Sequence, residues 1–226
     1  MKRLITGLAL ASFALLFVFW TNTYVFCLGL FLILVFSIYE LQKIKIKKNI
    51  YLWIIFFLIL LNILLIYPIS QYFDRSLFFT ALVISVLTDV SAFVFGNLIG
   101  KRFIFPNISP NKTLEGTLSG IFVPSILLLL FTLTLSEYQF LYSFLELSPM
   151  IDSWGIANTF LALVFCSLMS IAGDLFASKA KRTIAIKDFG NLLPGHGGIL
   201  DRIDSHLVCI PIFFFLNSLI LSLIHI

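Results

Sequence analysis

Charged residues are scarce in this 226-residue sequence. Asp, Glu, Lys and Arg make up only 12% of it, about half of their share in a typical soluble domain. Apolar residues account for 60%, and the mean hydropathy is +1.08. This composition excludes a soluble globular protein, a disordered chain and a secreted disulfide scaffold. We therefore expect an all-α, polytopic integral membrane protein.

Cysteine is also scarce. The three cysteines, Cys27, Cys166 and Cys209, lie inside apolar runs and show no CxxC spacing. A disulfide framework or a thiolate metal site needs closely spaced or paired cysteines. We expect these three side chains to contribute to packing, as buried cysteines usually do.

Long apolar runs recur along the chain. A helix needs about 20 apolar residues to cross a hydrocarbon layer about 30 Å thick. An eighth crossing at 138–150 (YQFLYSFLELSPM) stays open, because that stretch is short and contains Glu146. The first run resembles a signal peptide, but a second run begins three residues later, which favours a helical hairpin. The seven predicted spans are Leu4–Trp20, Tyr24–Tyr39, Ile50–Tyr67, Leu77–Ile99, Thr117–Leu135, Phe160–Ala177 and Leu207–Ile224.

The basic residues predict the orientation of these spans. With the N-terminus inside, every lysine and arginine except Arg75 falls in a loop on the inner side. Lys and Arg collect on cytoplasmic loops, so the clusters indicate orientation and not nucleic-acid binding. We expect a bacterial inner-membrane protein whose N-terminus and polar site face the cytoplasm.

The first polar run extends from Asp89 to Gly120. Asp89 lies about ten residues inside its span, or about 15 Å along a helix axis. A carboxylate at that depth is costly, which indicates a functional or cation-binding group. The alternative is a structural aspartate paired with a neighbouring lysine. Gly96 and Gly100 are one helical turn apart, a spacing that lets two helices approach closely.

A short polar loop completes this run. It contains Ser109, Lys112 and Thr113. Lysine and hydroxyl groups suit a phosphate, and they suit a lipid headgroup equally well.

The second polar run, Gly173–Ser205, is the densest in charge. Its glycine-rich segment 194–198 can turn backbone N–H groups toward an anion. Asp201 and Asp204 share one face if they lie on a helix. Carboxylates with few histidines and no cysteine indicate a hard, oxygen-liganded ion such as Mg²⁺. The P-loop pattern GxxxxGK[ST] is absent. The run predicts phosphate or nucleotide chemistry, and the alternative is a solvated charge run that holds the topology.

Residues 178–204 (SKAKRTIAIKDFGNLLPGHGGILDRID) resemble the signature of phosphatidate cytidylyltransferases, also called CDP-diacylglycerol synthases. Every charged residue of the pattern is present. Ala180 stands where the family has a bulkier apolar residue, at an expected packing position. The first polar run also resembles the family, through Asp89, Ala92, Gly96, Gly100, Lys101, Ser109, Pro110, Lys112, Thr113, Glu115 and Gly116. The resemblance covers residues 89–205, whereas the first 85 are similar only in being hydrophobic.

The resemblance implies the reaction of CTP with phosphatidate to give CDP-diacylglycerol and pyrophosphate. It divides the chain into N-terminal transmembrane helices (1–85) and a catalytic membrane domain (86–226). It makes Asp174 and Asp201 the expected Mg²⁺ ligands, with room for a second cation. Secondary ligand candidates are Asp89, Asp188 and Asp204. Expected catalytic groups are Lys181, Arg182, Lys187, His196 and Arg202, and expected substrate-binding residues are Ser109, Lys112, Thr113, Gly197 and Gly198.

The expected partners are CTP, phosphatidate and the bilayer, and a homodimer is compatible with the pattern. His206 and His225 are expected to be structural. One alternative keeps the chemistry but changes the lipid: a CTP-dependent lipid kinase or a cytidylyltransferase for another lipid phosphate. A remoter alternative is an ion-coupled transporter with Asp89 and Asp174 on the ion path. Polar groups concentrated at one end of the spans disfavour the transporter.

Overall fold

Helices make up all the regular structure in the described part of the chain. The computed structural model describes residues 12, 15–44, 49–72, 75–134, 147–193 and 197–224. Two isolated β-bridges accompany the helices. The all-α prediction is therefore confirmed for these residues. The helices are α1 Thr23–Lys43, α2 Ile50–Tyr72, α3 Arg75–Ile99, α4 Leu114–Thr134, α5 Ser148–Thr183, α6 Leu200–Ile203 and α7 His206–Ile224.

Five of the described helices are long and apolar enough to cross a membrane: α1, α2, α3, α4 and α5 from Trp154 onward. Each corresponds to one predicted span, although Leu135, the last residue of the span predicted in α4, lies outside the described residues. The prediction of a polytopic integral membrane protein is therefore confirmed. In α7 the apolar stretch His206–Leu219 is shorter than a span. Residues 1–11 and 135–146 lie outside the described residues, so the number of seven spans stays a prediction.

Many large apolar side chains lie on the outer surface of the described helices. Trp20, Tyr24, Leu64, Phe93 and Leu98 are all largely exposed. Such an outer surface is costly in water and suited to lipid, where a helix satisfies its own backbone hydrogen bonds.

The predicted hairpin at the start of the chain is confirmed in its described part. Residues 15–20 are helical, and the side chain of Asn22 caps α1 by accepting the N–H of Val25 at 2.8 Å. The ring of Phe17 lies against Gly29, where any larger side chain would collide with it. The guanidinium of Arg75 donates to the carbonyl of Val18 at 3.2 Å. Arg75, the one base outside the predicted inner loops, thus closes this hairpin.

Helix α5 differs from its prediction at the C-terminal end. The predicted span stopped at Ala177, because the charges that follow were interpreted as a loop. The helix instead continues to Thr183, so Lys181 and Arg182 occupy its last turn. Ala, Lys and Arg are good helix formers, and cations near a helix C-terminus interact favourably with its dipole. Near the other end, Gly155 has φ +76°, and the helix kinks there.

The chain divides into two compact units. The first unit is Met1–Arg75 with Ala180–Asp204, and the second is Ser76–Lys179 with Ser205–Ile226. In the first unit α1 packs against α2, with Leu41, Leu52 and Ile59 in its core. Ala180 is fully buried, which confirms its predicted packing role. The functional division at residue 85 stays a prediction.

Close contact between α3 and α4 organises the second unit. A Cβ atom added to Gly116 would lie 2.6 Å from the carbonyl oxygen of Ala92 and 2.8 Å from the Cα of Gly96. Real Cβ atoms do not approach backbone so closely, so only glycine fits there. The prediction that Gly96 belongs to a close helix contact is confirmed. Cys166 and Cys209 are buried in this unit, as expected for packing residues.

A buried hydroxyl network joins three helices of the second unit. The hydroxyl of Ser85 on α3 lies 2.8 Å from that of Ser170 on α5 and 3.1 Å from that of Ser205. Ser205 also lies 3.2 Å from Nδ1 of His206, at the start of α7. Each polar group thus finds a partner inside the apolar bundle, which a buried polar group needs. His206 belongs to this network, in line with its expected structural role.

Candidate active site

The first unit contains a charged group that we call the loop cluster: Lys181, Asp201 and Asp204. Lys181 Nζ lies 2.9 Å from Asp201 Oδ1 and 3.8 Å from Asp204 Oδ2. The three side chains are only 12%, 3% and 11% exposed, respectively. Both carboxylates approach one ammonium. The predicted shared face would have required this stretch to begin the last helix, but Asp201 lies in the separate four-residue helix α6 and Asp204 directly follows it. Because these charges are buried, removal of one partner would leave another charge uncompensated, which is strongly destabilising.

Asp201 contacts the described end of the glycine-rich segment, Gly197 and Gly198. Asp201 Oδ2 accepts the backbone N–H groups of Phe189 at 2.8 Å and Gly198 at 3.0 Å. Gly197 has φ +83°, a conformation that favours glycine. Within the segment, Gly198 turns its N–H toward an anion, which is a carboxylate of the chain itself. Residues 194–196 lie outside the described residues, so the prediction for the whole segment stays a prediction. The predicted substrate-binding roles of Gly197 and Gly198 stay predictions.

A further carboxylate in this unit, that of Glu40 near the end of α1, was missed in the sequence. Its Oε1 accepts the N–H of Ile199 at 3.0 Å, and its Oε2 accepts that of Leu200 at 2.9 Å. Glu40 is only 2% exposed. A signal was available, because Glu40 is the first acidic residue of the chain and directly follows a predicted span. An ionisable group beside an apolar run indicates function by default.

The second unit contains the helix cluster: Asp89, Lys112 and Asp174. Lys112 Nζ lies 2.5 Å from Asp174 Oδ2, and the hydroxyl of Ser178 donates to Asp174 Oδ1 at 3.4 Å. Asp89 on α3 accepts a hydrogen bond from Ser205 at 3.3 Å. It is close enough to the pair for Asp174 to repel its carboxylate and for Lys112 to attract it. The lysine near Asp89 is therefore Lys112, and the ion pair that it forms is with Asp174.

The loop between α3 and α4 places Lys112. Glu115 Oε2 accepts the N–H groups of Lys101 at 3.0 Å and Arg102 at 3.3 Å. The buried hydroxyl of Thr113 accepts the N–H of Gly116 at 3.2 Å, as a helix cap does. Two side chains near the start of α4 thus hold both ends of this loop. The predicted contacts of Thr113 with substrate stay predictions.

The other predicted site residues lie nearer the surface. Ser109 is half-buried, and its backbone N–H donates to the carbonyl of Phe105 at 2.9 Å. A Cβ added to Gly197 would lie 3.4 Å from Asp188, so Asp188 also borders the glycine-rich segment. The exposed residues are Arg182, Lys187, Asp188 and Arg202. His196 and His225 lie outside the described residues.

Comparison with known proteins identifies the family of this chain. Residues 4–220 match the model of the family described as "Cytidylyltransferase family". The chain belongs to this family. A phosphatidate cytidylyltransferase of Bacillus subtilis (strain 168) is 40% identical to this cytidylyltransferase-family chain over 141 residues, which are 62% of this chain and 47% of the relative.

Two further relatives with the same name show similar identity. The one from Staphylococcus aureus (strain COL) is 40% identical over 142 residues, 63% of this chain and 48% of the relative. The one from Helicobacter pylori (strain J99 / ATCC 700824) is 41% identical over 126 residues, 56% of this chain and 41% of the relative. The chain thus spans about half the length of the curated relatives that it matches.

The carboxylates of this family member differ in how well they suit a metal ion. Among the described residues, no group of three or more His, Cys, Asp or Glu side chains is arranged to hold one. Mg²⁺ is usually bound through one or two carboxylates, with substrate phosphates and water completing its shell. Asp89 and Asp174 fit that chemistry, because both are at least partly exposed and their negative charges repel each other. The oxygens of Asp174 and of Asp201 all have a partner. The two residues differ in exposure, because the side chain of Asp201 is only 3% exposed and that of Asp174 is 28% exposed. Asp174 and Asp201 belong to different units, so their pairing as ligands stays a prediction.

Proposed function

We propose that this chain carries the catalytic part of an enzyme that transfers the cytidylyl group of CTP to phosphatidate. The observation that carries the proposal is the loop cluster. The buried ammonium of Lys181, held by Asp201 and Asp204, lies within the segment that resembles the phosphatidate cytidylyltransferase signature. Family membership and the names of the relatives support the same reaction.

The chemistry needs positioning more than it needs a strong base. A phosphatidate oxygen, already anionic near pH 7, attacks the α-phosphorus of CTP. A new P–O bond forms there while the bond to the β-phosphate oxygen breaks, and pyrophosphate leaves. The main difficulty is to bring two polyanions together, which fixed cations and fixed geometry achieve.

The chain supplies those cations in two ways. Lys181 and Lys112 are each fixed by a carboxylate, so their ammonium groups are oriented before substrate binds. Such preorganised charges stabilise developing negative charge without reorganising during the reaction. We assign the same task to the exposed Arg182, Lys187 and Arg202, whose charges lie in or beside the signature loop. His196 would donate to a phosphate.

We also propose that the reaction depends on Mg²⁺. Asp174 is the first candidate ligand, with Asp201 from the signature, or Asp89 from the helix cluster, as the second carboxylate. When bound, the ion would neutralise charge on the phosphate oxygens of CTP and pyrophosphate.

We place the site on the cytoplasmic side of a bacterial inner membrane. The support is the distribution of bases in the predicted topology, where only Arg75 falls outside. CTP is a cytoplasmic nucleotide, and phosphatidate would enter from the bilayer. A homodimer is compatible with the proposal, and the mass of the detergent-solubilised protein would test it.

The position of a radioactive label tests the reaction. The purified protein in detergent is incubated with Mg²⁺, phosphatidate and CTP labelled at the α-phosphate or at the γ-phosphate. Cytidylyl transfer moves the α-label into lipid and leaves the γ-label in pyrophosphate. A γ-label in the lipid would identify a lipid kinase, and turnover with ATP but not CTP would reject the proposal. Omitting phosphatidate, or replacing it with another lipid phosphate, is the control for lipid identity.

A further inference from the structure

The inference concerns Glu40, which lies outside the segment that resembles the family and bonds directly to the signature loop. We propose that Glu40 is a positioning residue, whose buried carboxylate holds the turn that presents Asp201 to Lys181. The inference rests on the proposed function for its kinetic consequence, but its structural part is tested separately.

The first step is the pair of hydrogen bonds that Glu40 accepts. Each carboxylate oxygen takes one amide, Ile199 N–H on Oε1 and Leu200 N–H on Oε2. Ile199 precedes helix α6, and its own side chain makes no capping hydrogen bond. The first amides of a helix have no partner within the helix. Glu40 therefore supplies the cap that the local sequence lacks.

The second step is the space that two glycines leave for Glu40. A Cβ on Gly198 would lie 2.5 Å from Glu40 Oε2, and a Cβ on Gly190 would collide with Oε1 and lie 2.7 Å from Cδ. Neither residue has the positive φ that would by itself require glycine. Their lack of a side chain is thus explained by close approach to this carboxylate.

The third step connects Glu40 to the loop cluster. The three consecutive amides of Gly198, Ile199 and Leu200 all donate to carboxylates, the first to Asp201 and the next two to Glu40. Asp201 in turn accepts Lys181 Nζ at 2.9 Å. A shift of these amides would therefore move the carboxylate that orients Lys181. A displacement of about 1 Å can cost about 100-fold in rate.

The decisive variant is Glu40→Gln, which keeps the shape of the side chain. The glutamine NH₂ group cannot accept, so it would face one of two N–H donors. A role in packing alone predicts wild-type behaviour for this variant. Positioning predicts that amides in 197–203 exchange hydrogen about tenfold faster or more in detergent, and that kcat falls at least tenfold. The matched control is Leu41→Ala, which removes a fully buried neighbour on the same helix and lowers the melting temperature. We expect it to leave exchange in 197–203 and kcat nearly unchanged.

A second variant keeps the test valid if Glu40→Gln fails to fold. The substitution Gly190→Ala keeps the glutamate at position 40 but adds a methyl group to the loop, where it would collide with the carboxylate of Glu40. It should also accelerate exchange in 197–203, and its effect on kcat should be non-additive with that of Glu40→Asp, whose shorter side chain makes room. Additive effects, unchanged exchange, or faster exchange with unchanged kcat would each overturn the inference. A wild-type protein without cytidylyl transfer would reject the proposed function, and the exchange result would then decide the positioning role alone.

Discussion

Replacing Asp201 by asparagine tests the loop cluster most directly. Asp201 accepts one bond from Lys181 and two from backbone N–H groups, so the asparagine NH₂ must face at least one donor. Breaking a buried ion pair costs about 3–5 kcal/mol. Asp204, 3.8 Å from the same ammonium, retains part of the attraction. We therefore expect a loss of about 2 kcal/mol in the free energy of unfolding, below the range for an isolated buried pair.

That loss should leave the protein folded but poorly active. For chains of 150–250 residues, 1 kcal/mol shifts the melting temperature by about 2–4 °C, so Asp201→Asn should melt about 4–8 °C lower. A misplaced Lys181 should reduce kcat about 100-fold. The assay is transfer of the α-label from CTP to lipid, with a thermal melt of the same sample in detergent. The exposed Asp152 offers the matched control, Asp152→Asn, which should match the wild type in both.

Two results would refute this reasoning. Wild-type turnover by Asp201→Asn would show that neither the orientation of Lys181 nor a metal ligand at this position matters. A full loss of activity with an unchanged melting temperature would mean that the ion pair contributes nothing to stability.

Four further outcomes are expected. Lys112→Met should cost less than about 1 kcal/mol of stability, because its ion pair with Asp174 is partly exposed, yet it should raise KM for CTP or phosphatidate at least tenfold in steady-state kinetics. Gly116→Ala should lower the free energy of unfolding by about 1–3 kcal/mol, because its Cβ would overlap backbone of α3, and a thermal melt would measure this. Ser85→Ala should destabilise by about 1–2 kcal/mol, because it removes a group bonded to two buried hydroxyls, measured in the same way. Removal of divalent cations by a chelator should abolish label transfer, and added Mg²⁺ should restore it.

Control variants distinguish these specific effects from a general loss of folding or activity. Lys43→Met removes another partly solvated lysine, at the end of α1, and should leave both Michaelis constants unchanged. Ser218→Ala removes an exposed hydroxyl bonded to its own helix and should be nearly neutral for stability. A Gly116→Ala variant as stable as wild type would contradict the close α3–α4 contact. Full activity in the presence of chelator would contradict the proposed Mg²⁺ requirement.

Local patterns predicted the parts of this protein that depend on near neighbours. Lys181 and Asp201 are 20 residues apart in a charge-rich run that predicted a polar site, and the family resemblance implied a role for each of them. Gly96 was recognised from a one-turn spacing that directly encodes helix approach. The end of α5 was mispredicted, because charges near a membrane boundary resemble a loop even where the helix continues as far as Thr183.

Partnerships across long stretches of sequence were not predictable in the same way. Glu40 accepts hydrogen bonds from backbone amides that are 159 and 160 residues away. Nearly every residue has such an amide, so the sequence does not indicate which ones a side chain will bond. The link between Asp89 and Ser205 spans 116 residues and depends on how α3 packs within its unit. Apolar periodicity could not reveal either link, because these spans are hydrophobic on nearly every side.

The long separation between Glu40 and its partners has a consequence for how the protein is made. At about 5–20 residues per second, a ribosome needs roughly 8–32 s to synthesise the 160 residues that separate them. During that interval α1 is already complete, and its carboxylate has none of the amides that later bond it. The nascent first unit must therefore keep an unpaired acid at the end of a membrane helix. Both hydrogen-bond donors are synthesised long after α1, so truncation before residue 199 would remove both of them from Glu40.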